Sequence, residues 1–235
     1  ETERAIEIYR SILAETPDFS DARAALAELI GEPAHRLPVS QILAPLYEHD
    51  ADWPALRALL VEVLPDLDTE AARIERLLDI AALDEEKLGE PARALSARAD
   101  AWRLSGADAA LEPELERLAG VVGAWRPLLD LLLEGIELSP ERTVALRMKR
   151  ATLLRDALND IDGAIAELRA LLEAEPECLE ALDTLDALFG ETGHALERIE
   201  VIDRKVALTT DDAAQVALLH RVARLGLTLV DAHRV

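Results

Sequence analysis

The sequence predicts an all-α protein built from repeated pairs of antiparallel helices, and three observations support this prediction. Alanine and leucine dominate the apolar residues and aromatic residues make up only 3% of the 235-residue chain, a composition that suits closely packed helices. Apolar residues recur at the helical period of about 3.6 residues rather than alternating as in a strand. The same residue pattern returns along the chain, which is typical of helical repeat proteins.

Two offsets relate distant segments of the chain. Residues 3–31 align with residues 162–190, so that Ile6 coincides with Ile165 and Pro17 with Pro176. A second offset of about 70 residues relates the middle of the chain to its C-terminal half, and Trp53 and Trp125 share this spacing. A period of about 70 corresponds to two units of roughly 35 residues, the size of a helix–turn–helix repeat.

Apolar stripes set the helix boundaries. In the segment 161–174, for example, alanine, isoleucine and leucine residues follow one face of a helix. The same pattern predicts about 13 helices, at 3–15, 20–30, 34–48, 53–64, 69–87, 91–104, 109–119, 124–138, 140–158, 161–174, 178–189, 195–208 and 211–229. We expect a single repeat domain over residues 1–235. Because the chain begins with Glu1 inside a predicted helix, we also expect a fragment of a longer repeat protein.

Proline, glycine and hydroxyl residues support these boundaries. Four prolines fall in first turns, where the missing N–H costs little, and Ser139 and Thr210 are predicted N-caps. Four glycines are predicted to follow helix C-termini: Gly31, Gly106, Gly120 and Gly190. Pro38 and Pro45 depart from the pattern, because both lie inside the third predicted helix. We therefore expect that helix to be kinked or shortened, within an irregular insertion near 32–51.

The charge of the chain restricts its partners. The net charge of −22 disfavours nucleic acid, whose phosphates are negative, and favours a basic partner. The acidic residues are spread along the chain, which also fits an ordinary solvated surface. The basic run at 147–150 and the pair Arg204–Lys205 are flanked by acids, which predicts salt-bridged helix faces. There is no long uncharged apolar run, so we expect no membrane association and a cytoplasmic protein.

No sequence motif indicates catalysis. Glycine-rich phosphate loops, GxSxG and HExxH are absent, and no histidine pairs with another ligand at metal-binding spacing. His49, Asp50 and Asp52 share one turn and could contact a cation, although a solvated helix end is the simpler interpretation. Trp53 and Trp125 could stack on a ligand, but their repeat phase favours the core, as does that of Trp102. We therefore expect no enzyme activity, no metal and no cofactor.

The helix pattern resembles tetratricopeptide repeats. The second helix of that family's pair carries a small residue, an aromatic residue, an apolar residue and then a turn proline, and Ala5, Tyr9, Ile12 and Pro17 match it in order. Gly193 matches the glycine between the two helices. The resemblance covers most of the chain. It implies an α-solenoid, a right-handed superhelix of antiparallel helix pairs, whose concave groove binds peptides or partner helices.

The resemblance also implies which residues face the groove. In this family the first helix of each pair lines it. Carried onto the predicted helices 140–158, 178–189 and 211–229, the register gives a partner-binding set of Met148, Thr152, Arg155, Asp183, His220 and Arg224. The paired lysine and asparagine pattern of members that clamp a C-terminal carboxylate is not evident.

We therefore expect a non-catalytic scaffold or adaptor that binds a protein or peptide on a curved helical surface. A second hypothesis is the regulatory or substrate-recruiting arm of a larger enzyme or transcription regulator. A third is a structural repeat that self-associates through its terminal repeats, since both ends would expose an unpaired helix face.

Overall fold

The computed structural model describes residues 1–232, and all regular structure in that range is helical. The α-helices are α1 (Thr2–Glu15), α2 (Ser20–Leu29), α3 (Pro33–His49), α4 (Trp53–Glu62), α5 (Glu70–Glu86), α6 (Pro91–Leu104), α7 (Glu112–Val122), α8 (Trp125–Leu138), α9 (Thr143–Asp156), α10 (Ile161–Ala174), α11 (Leu179–Thr192), α12 (Ala195–Leu208) and α13 (Asp212–Ala232). Short 3-10 turns lie at Leu64–Asp66, Ala109–Leu111 and Pro140–Arg142. The all-α class and the helix pattern are confirmed.

The helices group into two compact units, one from Glu1 to Ala124 and the other from Trp125 onward. In each unit a helix packs mainly against its neighbours in the chain, as in a repeat array. The most extensive contacts join α5 to α6 in the first unit, and α9 to α10 and α11 to α12 in the second. The single domain and its right-handed superhelix stay predictions.

The second unit shows the repeat period directly. Helices α9, α11 and α13 begin at Thr143, Leu179 and Asp212, a spacing close to the roughly 35-residue unit of a helix–turn–helix repeat. The second helix of the first pair, α10, buries the alanine, isoleucine and leucine stripe predicted for it. Amphipathic helices that bury such a stripe against their neighbours form a continuous core.

Tryptophan residues occupy two different environments. The side chain of Trp102, on α6, is fully buried, which confirms the predicted core position. Trp53 and Trp125 are only half-buried. Trp53 packs against the core cluster formed by α4 to α7, and its remaining exposed surface faces solvent. No described helix is both long and apolar enough to cross a bilayer.

Two predicted glycine caps are wrong. Gly120 lies inside α7 and Gly190 inside α11, and each helix continues to Gly123 or Gly193, whose φ angles are 71° and 77°. A left-handed residue ends a helix at the lowest cost when it is glycine. Of two glycines three residues apart, the one with positive φ is therefore the terminator. The φ angle of a glycine cannot be read from the sequence, so the sequence alone could not distinguish the two glycines of each pair.

Both predicted hydroxyl N-caps are also wrong. The carboxylate of Asp211, one residue after Thr210, accepts a 2.7 Å hydrogen bond from the N–H of Ala214 and caps α13. Ser139 makes no side-chain capping hydrogen bond, because a 3-10 turn at Pro140–Arg142 separates it from α9. Helix α9 is therefore shorter than the predicted helix 140–158.

The third helix is not shortened by its two internal prolines, since α3 runs over 17 residues. Pro38 and Pro45 are exposed, and each removes the hydrogen bond to the carbonyl four residues earlier, on Ala34 and Gln41. Ala34 and Gln41 are exposed too. Water can bind the freed carbonyl groups, so the helix tolerates both prolines.

Candidate partner-binding surface

The six predicted partner-binding residues lie in the second unit, on α9, α11 and α13. The exposed members are Thr152, Asp183, His220 and Arg224, and the half-buried ones are Met148 and Arg155. Helices α9 and α11 are the first helices of their pairs. The residues thus occupy the helices that the family register assigns to a groove. Their role in binding stays a prediction.

Charged contacts place these three helices beside one another. Arg221 of α13 donates 2.9 Å hydrogen bonds to both carboxylate oxygens of Asp186 on α11. A hydrogen bond from Arg155 to Asp156 raises the pKa of Arg155, with a smaller contribution from the charge of Glu191 on α11. Charged groups of α9 and α11 are therefore close enough to interact, as are those of α11 and α13.

Four of the six residues already have partners within the chain. The Thr152 hydroxyl donates to the carbonyl of Met148, at 3.0 Å. The Asp183 carboxylate lies 2.5 Å from Nζ of Lys205, and Arg155 pairs with Asp156. Within the described residues, the side chains of His220 and Arg224 make no hydrogen bond or ion pair. These two basic or ionisable groups on α13 therefore have no partner among the residues that the structure describes.

Asp186 is the most notable side chain of this unit, and the sequence did not single it out as functional. It is 5% exposed and accepts hydrogen bonds from Arg198, Lys205 and Arg221, at 2.9, 3.2 and 2.9 Å. Burial would raise the pKa of Asp186, but the hydrogen bonds from Arg198 and Lys205 and the charge of Arg221 hold it below its ordinary value. The first helix of a tetratricopeptide repeat carries a leucine followed by a small residue, and the sequence signal was that Asp186 stands at the small position after Leu185.

A half-buried carboxylate joins α9 to α10. Glu167 of α10 accepts a 2.8 Å hydrogen bond from Arg147 and lies 3.1 Å from a guanidinium nitrogen of Arg150, both on α9. Together with the contacts of Lys205, this confirms that the basic runs form salt-bridged helix faces. Such half-buried pairs fix the register of two packed helices.

The first unit contains a cleft of about 490 Å³ between α3, α4 and α5. Its apolar wall is formed by Trp53 and by the leucines Leu56, Leu60 and Leu83. Its charged rim consists of Glu48, Arg76, Asp79, Glu86 and Lys87. An apolar wall with a few charged groups is the usual composition of a binding cleft.

The rim charges differ in how far they are neutralised. Arg76 lies 3.7 Å from Asp79, and Nζ of Lys87 lies 5.4 Å from the ring centroid of Trp53, in a cation–π contact. Burial raises the pKa of Asp79. Within the described residues, the carboxylates of Glu48 and Glu86 have no hydrogen-bond or ion-pair partner, so the rim keeps an excess of negative charge.

The acidic turn at 49–52 makes structural contacts. Asp50 accepts a hydrogen bond from Arg23, which holds the pKa of Asp50 below its ordinary value. Asp52 caps α4 by accepting from the N–H of Ala55, at 3.2 Å. These contacts support the interpretation of a helix end. In the described part of the chain, no group of three or more histidine, cysteine or acidic residues is placed to hold a metal ion.

No protein-family model matches the chain. No curated protein matches it either. Among solved structures, the chain is similar to MamA, with 15% identity over 74% of this chain and 92% of the other and a TM-score of 0.39. It is also similar to the Cut9–Hcn1 hetero-tetramer of the APC/C, with 14% identity over 94% and 46% of the two chains and a TM-score of 0.38. A third is the TPR2AB domain of yeast Sti1 in complex with pHSP90, with 11% identity over 96% and 98% and a TM-score of 0.33.

Proposed function

We propose that this chain is a non-catalytic scaffold or adaptor that binds a protein or peptide partner. The observation that most supports this proposal is the cleft of the first unit. Its wall leaves part of the Trp53 side chain accessible beside the buried leucines Leu56, Leu60 and Leu83, whereas folding would otherwise favour complete burial of Trp53. Accessible apolar surface rimmed by polar groups is typical of interaction sites.

The rim defines the chemistry of the partner. Among the described residues Glu48 and Glu86 are unpaired, while Arg76 and Lys87 have local contacts. A lysine or arginine of the partner would therefore gain new ion pairs at no cost to existing ones. The wall between them accepts a leucine or aromatic side chain. A basic amphipathic helix, with an apolar residue three or four positions from a basic one, satisfies both requirements.

A peptide display selection tests this proposal. Random peptides of about 15 residues, long enough for four helical turns, are selected on the purified chain. Enrichment of lysine or arginine beside leucine or aromatic residues is the expected result. Binding of a selected peptide should weaken at least about tenfold, or about 1.4 kcal/mol, in the double variant E48K/E86K.

The matched control is the double variant E177K/E180K, which makes the same charge change at exposed acids of the second unit. It separates a local effect of the rim from a general effect of net charge. Equal weakening in both double variants, or selection of no basic apolar motif, would contradict the proposed site.

The surface formed by α9, α11 and α13 is a second candidate, favoured by His220 and Arg224, whose side chains have no hydrogen-bond or ion-pair partner among the described residues. Since both are basic or ionisable, this surface suits an acidic segment, in contrast to the cleft of the first unit. R224E should weaken binding of an acidic peptide selected on the chain, while R142E, on the turn before α9, should not. A role as the recruiting arm of a larger enzyme or transcription regulator is a further proposal, and a cytoplasmic location stays a prediction.

A further inference from the structure

Helices α10, α11 and α12 of the second unit enclose a cleft of about 260 Å³. Four apolar side chains form its floor, and each of them is more than nine-tenths buried: Leu172, Leu185, Phe189 and Val201. The cleft is smaller than the roughly 300–1,000 Å³ of small-molecule sites, so it has room for one or two side chains of a partner. Because little apolar surface stays accessible on this floor, the charged groups of the rim decide what can bind.

The rim carries two bases and three acids, and only the bases have contacts of their own. Arg204 donates a 2.9 Å hydrogen bond to the carbonyl of Pro176. The guanidinium carbon of Arg169 lies 5.6 Å from the ring centroid of Phe189, in a cation–π contact. The three acids have no hydrogen-bond or ion-pair partner among the described residues: Glu173, Glu197 and Glu200. The rim therefore has a net negative charge and carboxylates that are not paired.

The positions of these acids along their helices add to their cost. Glu173 lies in the last turn of α10, where the helix dipole disfavours a negative charge. Glu197 lies in the first turn of α12, where the dipole favours an acid, but Glu200 lies one turn later and gains little from it. Like charges gathered around one cleft also repel each other. A cation bound in the cleft would relieve this repulsion.

Helix α4 of the first unit shows that the repeat does not need acids at these positions. Helices α4 and α12 begin at Trp53 and Ala195, and both bury their seventh and eighth residues, which are Leu59, Leu60, Val201 and Ile202. Glu197 and Glu200 are the third and sixth residues of α12. Helix α4 has Ala55 and Ala58 there, with the same degrees of exposure. Since alanine serves the same packing, the two acids of α12 are not required by the fold.

The spacing of the acids selects the kind of cation. In the described part of the chain no group of three or more histidine, cysteine or acidic residues is placed to hold a metal ion. A larger cation can reach carboxylates that lie too far apart for one metal. The guanidinium group of arginine is planar, spreads its charge and carries five N–H donors. Its methylene stem can cover an apolar floor while the charged group reaches the rim.

We propose that the cleft formed by α10, α11 and α12 binds an arginine side chain of a partner protein. The carboxylates of Glu197 and Glu200 receive the guanidinium group, and the apolar floor receives the methylene stem. This site is separate from the cleft of the first unit and goes beyond the function proposed for that cleft. It uses no residue of the first unit, so one site can fail its test while the other passes.

A peptide selection on the full chain carrying E48K/E86K tests the proposal. These substitutions disable the cleft of the first unit, so that binding at the second unit is measured alone. Random peptides of about 15 residues should become enriched in arginine over lysine, because the ammonium group of lysine is a compact point charge. Fluorescence anisotropy at about 0.15 M salt then gives the affinity of a selected peptide that contains arginine.

Two double variants, each added to the E48K/E86K chain, locate the binding site. E197Q/E200Q removes both charges and keeps the side-chain volumes, and it should weaken binding at least about tenfold. The matched control is D162N/D203N, which neutralises two exposed acids of α10 and α12 that do not line the cleft. The control should change the affinity by less than about twofold.

A change in the peptide identifies the group that binds. Citrulline is neutral and has the shape of arginine, so a peptide with citrulline in place of the arginine should bind at least about tenfold more weakly. It should also bind equally to the chains with and without E197Q/E200Q, since the two changes remove the same interaction. The variant E197A/E200A, which copies α4, should behave as E197Q/E200Q does, with unchanged helicity in circular dichroism.

Three results would overturn the proposal. The first is a selection that enriches no arginine, or enriches lysine equally. The second is full affinity of the selected peptide for both E197Q/E200Q and E197A/E200A. The third is equal weakening in E197Q/E200Q and D162N/D203N, which would indicate a general effect of net charge.

Discussion

Replacement of Asp186 by asparagine isolates the charge at the centre of the α11–α13 contacts. The side chain is 5% exposed and is surrounded by Arg198, Lys205 and Arg221. Removing one member of a buried ion pair typically costs about 3–5 kcal/mol, because the remaining charge is left without compensation. Asparagine has nearly the same volume, so no cavity contributes to the effect.

Two features of the structure reduce this cost. The side chain of Arg221 is 40% exposed, so its pairing is screened by water and contributes little. Lys205 keeps a second partner in Asp183, at 2.5 Å. We therefore expect D186N to lower the free energy of unfolding by about 2–4 kcal/mol at pH 7. Urea unfolding followed by circular dichroism measures this loss of free energy.

The pH dependence provides a second, independent measurement. Because the folded-state pKa of Asp186 lies below its ordinary value, its contribution to stability is complete above the unfolded-state pKa and is lost as the pH falls through the folded-state pKa. The difference between wild type and D186N should therefore narrow below about pH 4. The control D203N changes an exposed aspartate of α12 and should stay within about 0.5 kcal/mol of wild type. Equal stability of D186N and wild type at pH 7, or a difference that does not narrow in acid, would refute this account of the site.

Three further substitutions test the backbone and the core. G193A should destabilise the chain by about 1 kcal/mol, since φ at Gly193 is 77° and alanine resists this conformation; an unchanged melting temperature would contradict the assigned terminator. P45A should raise stability in urea unfolding, because the exposed Pro45 interrupts the hydrogen bonds of α3, and a loss of stability would show that the ring itself is needed. L168A should lower the free energy of unfolding by about 2–5 kcal/mol, since Leu168 is fully buried on α10; the exposed Leu196 gives the control, and L196A should stay within about 0.5 kcal/mol of wild type.

Features that depend on neighbours along the chain were predictable. Apolar spacing at 161–174 places α10 correctly because a helix and its buried stripe both follow from residues three and four positions apart. Prolines at 54 and 91 mark the starts of α4 and α6 for the same local reason. The cap of α13 was misplaced by one residue, since Thr210 and Asp211 are both good caps and only the position of the first turn distinguishes them.

The candidate sites were less predictable, because their residues come from separate helices. Glu48, Trp53 and Asp79 line one cleft although they belong to α3, α4 and α5. In sequence Trp53 gave evidence for both a core and a ligand role. In the structure it packs on the core with one part and lines the cleft with another. The packing between helices determines both roles of Trp53, and no local sequence pattern predicts that packing.

The sequence by itself determined that this chain is helical, approximately where its helices lie and that its helix pairs repeat, since these properties follow from local spacing and from self-similarity. Only the tertiary structure decided which charges are buried and which side chains share a cleft. Asp186 becomes the centre of a charged cluster because α12 and α13 bring Arg198, Lys205 and Arg221 to it. Glu173 and Glu200 line one cleft because α10 and α12 lie on either side of it, although the two acids are far apart in sequence. Burial depends on contacts between segments distant in sequence, and those contacts exist only in the folded chain.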